Sequence, residues 1–431
     1  MRVEFYRLIF SVVLLLACLL NGTPYFIGRI GLLDPIAYEA DRQRFCPSSG
    51  PPSGLVSSCA PVQALVSPQN PDGFERLDLE RLHAPTGYLV LFKAFRLLLL
   101  IGFPLIVLFC MTQGRCSWPG WRSLLPVSPL LLSSTAALFV ALSQAPITAL
   151  FYSLRSLSWL LLLVFSRPVS TRPALAQIAR AMSFLILLQI PLMYLEAILG
   201  LPMSFGPPSL QLTQASVGLP TRLVGTFILP NSLGVAVACL LGFCTAYLPQ
   251  RRLLTPLFVV ALPILLAARS GTGLLVWSAL ICFRLIHECS AHQAIKFLGL
   301  VVLFGIALSL PLSLGRPDLL QSLGGRIHAF SESMLASNLF QWNFGKGLLF
   351  ATPTESLPEW LLLQGGFFAA FSFYGLIFWA WHNDPMSRPF LLSVILCSLT
   401  LTIIELFPVN LLLGISINRT LMLVALGQKS S

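Results

Sequence analysis

Two arginines in nearly uncharged surroundings offer the clearest chemistry in this sequence. Arg222 opens the stretch Arg222-Leu223-Val224-Gly225-Thr226-Phe227, followed by Pro230-Asn231, and Arg269 lies in Ala268-Arg269-Ser270-Gly271-Thr272-Gly273. Each stands where a long apolar run begins or ends. A guanidinium at the end of an apolar helix costs free energy unless it meets an anion or a carbonyl, and its planar fork matches phosphate oxygens with two parallel hydrogen bonds. The plainer alternative is that each arginine reaches up to lipid headgroups.

The elements that must position these arginines are set by composition. The chain has 431 residues, 56% apolar and only 10% charged, with a mean hydropathy of +0.83. That is too little polar surface for a soluble fold of this size and implies a polytopic membrane protein. The apolar runs are about twenty residues long and lack period-two alternation, so the expected fold is all-α, a transmembrane helical bundle of about twelve helices. The formal charge of +11 is expected to reflect arginines on cytoplasmic loops and basic groups around an anionic site, with no nucleic acid as partner.

The expected spans are 5–27, 88–112, 127–144, 146–165, 181–203, 222–247, 253–268, 271–287, 297–314, 358–381, 390–408 and 409–426. With Arg2 and Arg7 on the cytoplasmic side, the inner segments hold Arg115, Arg122, Arg167, Arg172, Arg180, Arg251, Arg252, Arg284, Lys296, Arg388 and Lys429. The short outer loops hold almost only Arg222 and Arg269. This alternation is what the positive-inside rule expects, with both termini cytoplasmic. Leu15-Leu16-Ala17-Cys18 faintly resembles a lipoprotein cleavage site, but the first apolar run is long for a signal peptide, and a retained helix gives the charge pattern above. Eight of the ten cysteines lie in or beside apolar spans and read as packing residues. Cys46 and Cys59 lie in an outer segment where a disulfide is permitted.

The chain divides into 1–313, nine spans with an irregular outer cap at 28–87, an extracytoplasmic loop at 314–357, and three spans at 358–431. In the loop, Ile327, Phe330, Met334, Leu335, Leu339 and Trp342 form a 3.6-period apolar stripe, with Arg326, His328 and Glu332 off it, predicting an amphipathic helix on the membrane. Lys93, Arg96, Glu196 and Glu405 fall in the outer halves of their spans, and Arg155 and Arg419 near the middle. Such residues face a cavity or one another, and together they predict a polar cavity opening outward.

The arginine segments resemble motifs of the O-antigen ligase and O-antigen polymerase superfamily. Arg222, Gly225, Phe227 and Pro230-Asn231 are similar to its Arg-x-x-Gly-x-Phe and Pro-Asn pattern, and Arg269-Ser270-Gly271-Thr272-Gly273 to its second arginine motif, with Ala268 in place of the usual serine. Gly345-Lys346-Gly347 resembles a Gly-x-Gly in the family's outer loop, and Glu355-Ser356 then enters a helix with Gly365-Gly366. Ligases of the family carry a histidine near the end of this loop. Glu355-Ser356 stands there instead, closer to polymerase-like members, while His328 lies much earlier.

The resemblance implies transfer of an oligosaccharide from a polyprenyl-diphosphate carrier at the outer face of the bacterial cytoplasmic membrane. The acceptor would be a growing glycan or a lipid A core, and a chain-length regulator a possible partner. Arg222 and Arg269 would hold the departing diphosphate, helped by Arg326, Lys346, His328, Lys93 and Arg96 as substrate-binding residues. Glu355 would be the base that takes the acceptor proton, with Glu332, Glu359 and His328 behind it, although Thr354-Glu355-Ser356-Leu357-Pro358-Glu359 also reads as a helix start. No metal ligand cluster and no cofactor are expected. A transporter or flippase of lipid-linked oligosaccharide is the main alternative, against which stands the lack of an internal repeat. A structural scaffold within an envelope assembly is a third reading.

Overall fold

The computed structural model describes residues 2–20, 98–112, 124–144, 159–198, 225–227, 230–288, 337–345, 356–401, 403–404 and 406–427, with 293, 298–299, 301–302, 305 and 331 besides. Among the described residues the fold is all-α, without strands. In chain order the helices are α1 (Arg2–Leu20), α2 (Phe103–Thr112, entered through a π turn at Leu98–Gly102), α3 (Ser128–Gln144), α4 (Arg172–Ile198), α5 (Pro230–Tyr247), α6 (Arg251–Ala267), α7 (Gly271–Glu288), α8 (Leu339–Phe344), α9 (Leu357–Asn383), α10 (Arg388–Ser398) and α11 (Val409–Ala425).

At the centre lies α5, whose residues from Leu233 to Cys244 are buried almost without exception. Helices α4, α6, α7, α10 and α11 all pack on it. A helix apolar on every side belongs at the middle of a bundle. Gly242 lets α10 approach α5 closely, since a Cβ there would collide with Ser393 and crowd the Pro389 carbonyl. Near the other end of the same pair, the Cys397 thiol lies 3.9 Å from the Val235 carbonyl. Thus α5 and α10 run antiparallel, and α5 separates two ends of the bundle by about 20 Å at 1.5 Å per residue.

The outward faces of the surrounding helices are apolar. Phe109, Leu132, Phe139, Tyr194, Val259, Phe371 and Phe378, from five helices, are each more than 60% exposed. Among the described residues two helices, Arg172–Tyr194 and Leu357–Asn383, are long and apolar enough to cross a membrane, and the other apolar helices described are shorter.

Several expected spans are shifted for local reasons. The span expected from 222 begins as a helix only at Pro230, because residues 225–227 form a turn in which Gly225 has φ 54°. Proline at the first helical position loses nothing, since its missing N–H would have no intrahelical acceptor there. The span expected at 390–408 stops at Ser398, where the hydroxyls of Ser398 and Thr400 bond the Ile395 and Cys397 carbonyls and compete with helix continuation. The single amphipathic helix expected through Ile327 to Trp342 is interrupted at Ser337-Asn338. Asn338 caps a separate helix, α8, through a reciprocal box with Gln341.

Candidate functional site

The turn joining α6 to α7 places Arg269. Helix α6 ends when the Arg269 N–H bonds the Leu266 carbonyl at 3.0 Å and the Ser270 N–H bonds the Leu265 carbonyl at 3.2 Å. These paired bonds make a Schellman motif, whose left-handed residue is usually glycine. Here it is Arg269, at φ 49°. A non-glycine residue in that conformation costs of order 1 kcal/mol, so the position holds an arginine against its backbone preference.

Ser270 then starts α7. Its buried hydroxyl accepts from the Gly273 N–H at 3.2 Å, and its carbonyl accepts from the Leu274 N–H at 3.0 Å. This is an N-cap, and it spends one of the first-turn amides that lack an intrahelical acceptor. The amides of Gly271 and Thr272 belong to the same first turn. A Cβ placed on Gly271 would meet nothing within 4 Å, so this turn is open. An arginine beside an open helix N-terminus is a ready anion-binding arrangement.

The head of α5 meets this turn directly. A Cβ on Gly234 would collide with the Ser270 side chain, and one on Gly273 would come within 3.0 Å of the Gly234 carbonyl. Two small residues therefore bring the Pro230-Asn231 helix against the Arg269-Ser270 turn. The preceding turn is fixed by α4. Gln189, wholly buried, accepts from the Thr226 N–H at 3.1 Å through Oε1, and its Nε2 donates to Thr226 Oγ1 and to the Leu185 carbonyl, both at 3.1 Å. Gly225 has no room for a side chain because Gln189 Oε1 fills the space. Phe227 is buried beneath the same turn.

A second junction involves the expected outer loop. Gly345 ends α8 at φ 77°, and α9 breaks at Gly366, φ 67°. A Cβ on Gly345 would collide with the Gln364 backbone, and one on Gly366 with the Asn343 backbone. The end of α8 thus seats in the break of α9, with Trp342 stacked on Phe367 at 5.4 Å. At the start of α9, the hydroxyl of the N-cap residue Ser356 donates to Glu359 Oε2 at 3.0 Å.

Of the residues expected to act, the structure describes Arg269 and the reserve base Glu359. Arg222, Glu355, Arg326, Lys346, His328, Lys93, Arg96 and Glu332, with Cys46 and Cys59, lie outside the described residues. Arg419, expected to face a cavity or another charged residue, pairs with Asp384. Its Nε donates to Asp384 Oδ2 at 3.1 Å, with both side chains buried, in the turn between α9 and α10. That turn lies at the Tyr247 end of α5, away from Arg269. Burial raises the Asp384 carboxyl above its ordinary value, while Arg419 and the Met386 and Ser387 amides pull it down.

The sequence matches no protein-family model and no curated protein, and the fold matches no solved structure. The site is therefore read from its own geometry. Two residues escaped the sequence reading, Gln189 at this site and Asp384 at the opposite end of α5. Gln189 is a lone amide in the run Leu187-Leu188-Gln189-Ile190, and an isolated polar residue in an apolar helix was the available signal. Asp384 follows a long apolar helix directly, a place where a carboxylate needs a partner.

Proposed function

We propose that this chain is a polytopic membrane glycosyltransferase that polymerises or ligates oligosaccharide units from a polyprenyl-diphosphate carrier. The observation that supports it is the contact of Gly234, in the helix that follows the Arg222 segment in sequence, with Ser270 beside Arg269. Exposed aromatic and aliphatic side chains on five helices support immersion in lipid. A diphosphate attached to a lipid tail resides at such a boundary, where guanidinium groups and helix N-terminal amides can hold it.

In this reading the acceptor hydroxyl attacks the anomeric carbon, the bond from that carbon to the diphosphate oxygen breaks, and the diphosphate leaves with the electron pair. Arg269, Arg222 and the first-turn amides of α7 stabilise the negative charge that grows on the leaving group. Glu355, next to the cap of α9, receives the hydroxyl proton. Arg326, Lys346, His328, Lys93 and Arg96 bind substrate from the loop and the second span. The site faces the periplasmic side of the bacterial cytoplasmic membrane, and the Asp384–Arg419 pair lies at the cytoplasmic side.

One observation favours a transporter or flippase: α9 is discontinuous at Gly366, as helices at transport sites often are. The break, however, lies in the first half of α9 and is filled by the backbone of Asn343 and Phe344. Supplying purified protein with polyprenyl-diphosphate oligosaccharide, without nucleotide sugar, separates the readings. A lengthened glycan with free polyprenyl diphosphate supports polymerase, and transfer to a lipid A core supports ligase. Carrier moved across proteoliposomes with its glycan unchanged would replace the enzyme reading with a transporter.

A further inference from the structure

We infer that the outer edge where α6 meets α7 binds an anionic phospholipid, with Arg251, Arg252 and Arg284 on its phosphate and the apolar stripe of α6 against an acyl chain. The inference rests on the immersion in lipid that the proposed function includes, and not on glycan transfer. The site lies at the opposite end of α6 from Arg269.

Along α6, Arg252, Thr255, Val259, Pro263 and Leu266 are all exposed and recur every three or four residues, so they share one face of the helix. From Val259 onward that face is apolar. At the end near Tyr247 it finishes in Arg251 and Arg252, both exposed and both one turn from Thr255. The Thr255 hydroxyl accepts from Arg284 Nη1 at 3.2 Å, which brings an arginine of α7 across onto the exposed stripe of α6. About one turn deeper, Trp277 Nε1 donates to the Phe258 carbonyl at 2.9 Å and holds α7 beside α6. Three arginines are thus set at the end of one apolar stripe. Glu288 is the one carboxylate in the sequences of α5, α6, α7 and α10, so the arginines outnumber it. Asp384, at the same end of the bundle, is taken by Arg419. A ligand that matches this edge needs net negative charge and an apolar tail together. Free phosphate would leave the stripe uncovered, and a zwitterionic lipid would leave the net charge unmatched. An anionic phospholipid offers phosphate oxygens to the guanidinium forks and an acyl chain to the stripe, and basic pockets between membrane helices suit such headgroups. An arginine that only reached toward bulk headgroups would need no partner, whereas Thr255 holds Arg284 at a fixed place.

The test uses the full-length protein in phosphatidylcholine bilayers to which brominated phosphatidylglycerol or brominated phosphatidylcholine is added. Trp277, part-buried beside the stripe, reports the neighbouring lipid through quenching by bromine, and its share is the difference between the parent and Trp277→Phe. Phosphatidylglycerol should be preferred at Trp277 by about tenfold or more, since each arginine near an anionic headgroup is worth about fivefold in affinity. Arg252→Gln should lower that preference about fivefold. Arg172→Gln, on α4 at the same end of the bundle, removes the same charge and should leave the preference unchanged. Thr255→Val alters no charge, yet it should also lower the preference, by up to about fivefold, the share of one arginine. Equal quenching of Trp277 by the two lipids, or equal losses in Arg252→Gln and Arg172→Gln, would overturn the inference. So would displacement of the lipid by soluble glycerophosphate, which would make a free phosphate the occupant. If neither lipid quenches any tryptophan, the membrane reading is removed and this inference with it. A protein that prefers phosphatidylglycerol at Trp277 but transfers no glycan keeps the lipid site and loses the transferase reading alone.

Discussion

Gly234, one turn into α5, lies so close to Ser270 that a single methyl group cannot be placed between them. Ser270 also caps α7 and follows the left-handed Arg269. One contact therefore sets the distance between the head of the central helix and the turn that presents the arginine.

Gly234→Ala should separate these two elements. Overpacking of a tight contact costs about 1–3 kcal/mol, and a displacement near 1 Å lowers a positioned reaction about 100-fold. The paired control is Gly271→Ala, where a Cβ meets nothing within 4 Å. Its unfolding midpoint should match the parent, whereas that of Gly234→Ala should fall. Equal midpoints for the two variants would show that the Gly234–Ser270 contact is not tight in solution.

Arg269 gives a prediction in which stability and activity part company. Arg269→Gly and Arg269→Ala both remove the guanidinium, but only glycine relieves the left-handed backbone at φ 49°. Arg269→Gly should therefore be more stable than Arg269→Ala by about 1 kcal/mol, with both inactive in glycan transfer. Denaturation of the two variants side by side checks this, and a more stable alanine variant would contradict the Schellman assignment.

The buried Asp384–Arg419 pair predicts a pH-dependent stability defect. Removing one partner of a buried pair costs about 3–5 kcal/mol because the other charge is stranded. The folded Asp384 carboxyl lies above its ordinary 3.8 even beside Arg419, so its contribution is fully present below that value and is lost as pH rises through the folded pKa. Arg419→Met removes a group that pulls this pKa down, so the loss extends to higher pH. Relative to the parent, Arg419→Met should be least impaired near pH 4 and increasingly impaired toward pH 7, as followed by thermal unfolding. Adding Asp384→Asn should flatten that dependence, and a defect that shrinks toward neutral pH would contradict the assignment.

Much of the helical order could be read from apolar run length, and α6, α7, α9 and α11 fall close to their expected limits. What escaped was set by single residues acting across the fold. The start of α5 depends on the positive φ of Gly225 and on Pro230, and the break in α9 on Gly366 meeting Asn343, neither of which leaves a periodic signal. Arg419 illustrates the same limit. Its depth in an apolar run suggested a cavity or a charged partner, but only the path of the chain after α9 brings Asp384 to it. For the site, residue types located Arg269 and the glycines around it. The buried amide of Gln189 answers to Thr226, far along the chain, and a partner of that kind is fixed by packing rather than by local pattern.

In the proposed function Arg222 and Arg269 form one diphosphate clamp. Its most direct measurement is release of free polyprenyl diphosphate from polyprenyl-diphosphate oligosaccharide by the purified protein, compared with Arg222→Ala, Arg269→Ala and the double variant. A shared clamp predicts that each single variant loses at least about 100-fold in turnover, as for removal of one oxyanion-type donor, while unfolding cooperatively like the parent. It also predicts that the double variant loses much less than the product of the two. Full turnover in both single variants, or strictly multiplicative losses, would contradict it.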